Sequence, residues 1–216
     1  MRKFLWLSLF AVGFAYMESA TVVYLRTISG RLMDIFPMEI LDPHIGMIEI
    51  GRELVTLLIL VMVAIIAENS FVRRFYVFLF VFGLWDIFYY FWLKVFIGWP
   101  RSLLDADILF LIPLPWIGPV IAPLLVAFIL CFSGGIAIVR NRNFSITTKD
   151  AVLFLSGSLI LIFNFILPSL KEIKEFGMEG LKYINPFPFN WFLYFPGLLF
   201  IALGLLRPVM FYQDNK

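Results

Sequence analysis

Residues 75–97 read FYVFLFVFGLWDIFYYFWLKVFI. The run carries one acid at its middle, Asp86, and one base near its end, Lys94. As an α-helix rising 1.5 Å per residue it is about 35 Å long, enough to cross roughly 30 Å of hydrocarbon. Inside lipid a helix satisfies every backbone donor and acceptor within itself, so the stretch predicts a transmembrane helix. A carboxyl at its centre costs roughly 2.5–3.5 kcal/mol to insert and therefore calls for a partner or a cavity.

The same ruler laid outward finds spans near 4–25 and 48–67 before this run, and near 118–139, 151–170 and 192–206 after it. Composition agrees: of 216 residues 62% are hydrophobic and 15% charged, and the mean hydropathy is +0.96. Soluble domains are roughly 45–50% apolar and about 25% charged. The expected fold is all-α: a polytopic integral membrane protein forming a bundle of about six transmembrane helices, one transmembrane domain over 1–216. Arg2 and Lys3 precede an apolar run in the manner of a secretory leader. That run is too long for a leader's apolar segment and contains Glu18, so it reads as an uncleaved first helix.

Two connections stand out. Residues 26–47 form a long, semi-apolar link with Pro37 and Pro43, expected to lie on the membrane face or fold over a site. Residues 98–123 contain Pro100, Pro113, Pro115, Pro119 and Pro123. Proline removes a donor and clashes with the preceding turn, so this stretch predicts an interfacial or proline-broken helix near 102–112 ahead of the fourth span. The compact basic pairs Arg73/Arg74 and Arg140/Arg142 predict cytoplasmic N- and C-termini, with the cell membrane as host.

A net charge of +2 without a basic stripe argues against nucleic acid. The single cysteine, Cys131, rules out an internal disulfide, and the single histidine, His44, rules out bis-histidine haem or a three-histidine zinc site. No phosphate-binding glycine loop, dinucleotide fingerprint, zincin motif or nucleophile elbow occurs.

Function therefore has to be sought in the polar residues within apolar spans. Glu18, Glu49, Arg52, Glu53 and Asp86, joined by Asp107 and Asn164, all fall on one half of the bilayer when the spans alternate in direction. One shared polar site explains that better than isolated charges. Glu49 and Glu53 are spaced i,i+4 and share a helix face bordered by Arg52. The expected roles are Glu18, Asp86 and Arg52 in catalysis; Glu49, Glu53, Asp86 and His44 as ligands of an oxygen-bound divalent cation (magnesium, calcium, manganese or iron); and Arg101, Tyr89 and Asp107 in substrate binding. Asp86 has a second reading, a structural ion pair with Arg52 or Lys94. The favoured function is an intramembrane enzyme acting on a lipidic or membrane-delivered substrate. Its rivals are a non-catalytic subunit that pairs with another membrane protein, and a small proton-coupled transporter. Against the transporter stands the near-absence of polar groups in the other half, where Glu68 is almost alone.

Overall fold

The computed structural model describes residues 2–33, 35–37, 42–140, 145–186 and 188–211. Residues 34 and 38–41 of the first long connection lie outside that set, as does Arg142 of the second basic pair. Six helices long and apolar enough to cross a membrane follow one another: α1 (Arg2–Ile28), α2 (Pro43–Ala67), α3 (Phe71–Ile97), α4 (Ile121–Arg140), α5 (Thr148–Phe176) and α6 (Trp191–Phe211). The protein is a multi-pass membrane protein of the all-α bundle class. Large side chains left bare, such as Phe192, Ile66 and Phe71, are what lipid contact requires and water would penalise.

Helix ends follow local chemistry. Asp42 accepts the His44 N–H at 2.9 Å ahead of α2, which opens on a proline. Thr147 and Asp150 form a reciprocal capping box at the start of α5. α3 stops at Gly98, whose φ of 72° is the left-handed conformation that ends a helix at little cost.

Close helix approach depends on missing side chains. A Cβ on Gly134 of α4 would sit 2.5 Å from the Tyr76 carbonyl of α3, and a Cβ on Gly204 of α6 would sit 2.7 Å from the Asp150 carbonyl of α5. Two apolar clusters result, with α3 contributing to both. Leu7, Ala11, Leu60, Ala64, Val77 and Val81 join α1, α2 and α3. Tyr76, Leu130, Leu161, Tyr194 and Leu205 join α3 to α4, α5 and α6.

The stretch expected to hold a helix near 102–112 instead folds as an antiparallel β-hairpin, β1 (Ala106–Phe110) and β2 (Trp116–Pro119). The cause is local. The Asp105 carboxylate accepts the N–H groups of Arg101 (2.7 Å) and Ser102 (3.1 Å), closing a turn before a helix can start. Pro113 and Pro115 then prevent any helix from passing the tip. The apolar runs on either side, rich in Ile, Phe and Trp, pair with each other, Asp107 opposite Gly118 and Ile108 opposite Ile117.

The hairpin enters the bundle, and its backbone polarity is satisfied there. Glu53, ten residues inside α2, accepts the Leu111 N–H at 3.0 and 3.2 Å. Ser169 of α5 donates to the Pro115 carbonyl at 2.6 Å, and Trp116 Nε1 donates to the Ile112 carbonyl at 2.8 Å. Irregular backbone at membrane depth survives only where protein or a cavity meets its polar groups. The last long connection, after α5, is taken up by a 3₁₀ turn at Gly177–Tyr183.

Candidate functional site: a carboxylate-lined cavity

The inner faces of α1 and α2 change character along their length. On α2 the buried stripe is Glu49, Glu53, Thr56, Leu60 and Ala64, polar for its first half and apolar for its second. On α1 it runs Leu7, Ala11, Ala15, then Glu18 and Ser19. Both stripes keep helical spacing throughout, so one face seals the bundle at one end and lines a polar site at the other.

Depth is shared. Glu18 stands ten residues before the end of α1, Asp86 eleven before the end of α3, and Glu53 ten after the start of α2. All three therefore lie about 15 Å along the helix axis from the hairpin end of their helices. They border a cavity of about 630 Å³ whose walls also include Glu49, Arg52, Tyr89 and Asp107. Most of its remaining lining is apolar, with Phe82, Val126, Leu161, Phe165 and Ile201 among it. Concave, mainly apolar and carrying a few convergent polar groups, it has the make-up of a small-molecule site.

Apart from Glu53, which holds the Leu111 amide, the charges fall into two bound groups and one free one. Arg52 donates to Glu49 from Nε (2.9 Å) and Nη2 (2.8 Å) and to Glu18 from Nη1, while the Thr56 hydroxyl donates to the other Glu18 oxygen. Glu18 and Glu49 are each 6% exposed, so this is a buried ion network tying α1 to α2. Asp107, brought in by β1, accepts from Arg26 at 3.2 Å and from the Tyr90 hydroxyl at 3.0 Å. The Arg26 guanidinium lies 4.1 Å from the Trp99 ring centre, a cation–π contact that fixes it over the hairpin's root. Asp86 belongs to neither group. Among the described residues its carboxyl has no hydrogen bond and no ion pair, and it lines the cavity, as does Tyr89, whose hydroxyl is also without a bond.

Several expectations are corrected. Asp86 does not pair with Lys94, whose ammonium instead donates to the carbonyls of Gly98 (3.1 Å) and Pro100 (2.7 Å). Arg101 lies exposed in the turn before the hairpin, away from the cavity lining, and Asn164 is buried but is not among the lining residues. Among the described residues no three His, Cys, Asp or Glu side chains come together as a metal cage. Glu49 is committed to Arg52 and Glu53 to the Leu111 amide, and His44 sits exposed at the mouth of α2, so the expected ligand set is not assembled. Thr56, Trp85, Tyr90 and Arg26 line the cavity in addition to the residues expected to act in it. Thr56 was within reach, since 49, 52, 53 and 56 make one helical stripe. Arg26 was not, because nothing in the chain's spacing announces a partner 81 residues away.

No protein-family model matches this chain, and no curated protein or solved structure matches it. The chemistry of the site is accordingly carried by its own residues.

Proposed function

We propose that the protein is an intramembrane enzyme that works on the head of a lipidic substrate, with Asp86 as the proton-transferring group and the Tyr89 hydroxyl on the same cavity wall. The observation that carries this reading is the Asp86 carboxyl, without a hydrogen bond or ion pair among the described residues, on the wall of an apolar cavity where Glu18, Glu49 and Asp107 are each held by an arginine. A carboxyl used only for packing would be expected to have a partner. One placed to exchange a proton with a bound molecule needs to be free of one. Glu18 and Arg52 then act as positioning residues that hold α1 and α2 apart at the right width, and Asp107 does the same for the hairpin. The membrane orientation that goes with this reading has both termini in the cytoplasm and the cavity in the outer half of the cell membrane. At the other end of the bundle Glu68 is paired with Lys3 (2.8 Å) and Arg73 (2.9 Å), so that acid is not left free to pass a proton or cation onward.

The test is conversion of lipid by the purified protein in nanodiscs loaded with a total lipid extract from its host, followed over time by mass spectrometry. The wild type should consume one lipid species and Asp86→Asn should do so about a hundredfold or more slowly, the scale of lost acid–base catalysis. A wild type that changes no species, or an Asp86→Asn variant at full rate, would refute the proposal.

A further inference from the structure

We infer that the cavity takes a single-chain amphiphile with an ammonium head, admitted sideways from the bilayer between α2 and α5. This rests on the cavity being a lipid site and names the class of lipid.

The charge balance comes first. Five carboxylates (Glu18, Glu49, Glu53, Asp86, Asp107) meet two guanidiniums (Arg26, Arg52) on the cavity wall, a formal excess of three negative charges. Arg52 is shared by two acids and Arg26 reaches Asp107 through Nη2 alone, while among the described residues Glu53 has only a backbone N–H and Asp86 has no hydrogen bond or ion pair. Buried charge of one sign is costly until a proton or an opposite charge neutralises it. A phosphate or carboxylate head would deepen the excess, and a cationic head would reduce it.

The wall around Asp86 then distinguishes an organic cation from a metal ion. Trp85, Tyr89 and Tyr90 stand at positions −1, +3 and +4 from it on α3, with the Trp85 and Tyr89 ring centres 6.2 Å apart. Aromatic faces beside a carboxylate suit an ammonium, whereas a hard metal ion wants several oxygens gathered on one point.

Size and access follow. At about 30 Å³ per water-sized group the cavity holds on the order of twenty such groups, one alkyl chain with a small head. A two-chain phospholipid needs roughly twice that room. The way in lies where helices do not pack: α2 makes its extensive helix contacts with α3, and α5 makes its own with α6. Thr56 of α2 and Ser158 and Ile162 of α5 nevertheless border the same cavity. Leu54 and Val55 on α2 and Leu155 and Leu159 on α5 are bare, apolar as passage of a lipid chain along these helices requires.

The experiment uses the full chain in nonionic maltoside micelles with three photoreactive probes of equal chain length, a hexadecylamine, a hexadecanol and a hexadecanoic acid, each with a diazirine on the chain, and maps the cross-links by peptide. The amine is expected to label α2 and the 158–162 stretch of α5 about tenfold more than the acid. Asp86→Asn, which has no hydrogen bond to lose, should bring the amine down to the level of the alcohol. Ile162→Trp, checked for an unchanged melting temperature, should lower labelling by all three. Equal labelling by amine and acid in the wild type overturns the inference without any variant, as does labelling confined to lipid-facing side chains. Amine binding with no lipid converted would defeat the enzyme proposal and leave this inference standing. Conversion of an anionic lipid would do the reverse.

Discussion

Replacing Arg52 by Met tests the physical account of the site most directly. The side chain keeps its length and loses its charge, and with it the contacts to Glu49 at 2.8 and 2.9 Å and the contact to Glu18. Glu18 would retain only the Thr56 hydroxyl, and Glu49 would retain nothing. Stranding one member of a buried ion pair costs about 3–5 kcal/mol. Arg52 is 24% exposed along its side chain, so water softens the loss and the lower end applies, about 3 kcal/mol or a hundredfold in the folded fraction. The triple variant Glu18→Gln, Glu49→Gln, Arg52→Met removes all three charges and preserves an amide oxygen for Thr56. It should cost less than Arg52→Met alone, about 1 kcal/mol, because replacing a whole buried network by neutral groups is far cheaper than breaking it. Equilibrium unfolding in mixed dodecyl maltoside and dodecyl sulfate micelles reads both differences. An Arg52→Met cost below about 1 kcal/mol, or a triple variant no more stable than the single one, would refute the reasoning.

Three further outcomes are expected. Glu53→Ala strands the Leu111 N–H and should cost about 1–3 kcal/mol, whereas Glu53→Gln keeps an acceptor and should cost far less; hydrogen exchange at the Leu111 amide, fast in the first and slow in the second, separates them. Gly204→Ala places a methyl 2.7 Å from the Asp150 carbonyl and should destabilise the α5–α6 pair by about 1–3 kcal/mol, seen as a lower melting temperature, while Gly13→Ala, where a Cβ meets nothing within 4 Å, should not. Burial alone would raise the Glu68 carboxyl, but Arg73 and Lys3 outweigh it and hold it below the ordinary carboxylate range. Its stabilising contribution is then complete above the unfolded value of about 4.3 and is lost as pH falls through the lower folded value. Glu68→Gln should flatten that part of the melting-temperature profile, and an unchanged acid limb would count against the ion cluster.

Much of this was legible along the chain. Six apolar runs, each long enough to cross a bilayer, and a helical period on α2 determine the bundle and the side on which the acids lie, because span length and side-chain spacing are local properties of a helix. The 98–123 stretch was not legible in the same way. A short apolar run between turns reads equally as helix or strand, and what decided for strand was a partner run across two prolines and a carboxylate, Glu53, waiting inside another helix. The fates of the acids likewise depended on tertiary neighbours. Composition alone made Glu49, Glu53 and Asp86 equivalent, and only the packed bundle shows one bound to Arg52, one capping a hairpin and one left free. A carboxyl's chemistry is set by what stands within a few ångströms of it, and in this protein those groups come from helices and a hairpin far apart in the chain.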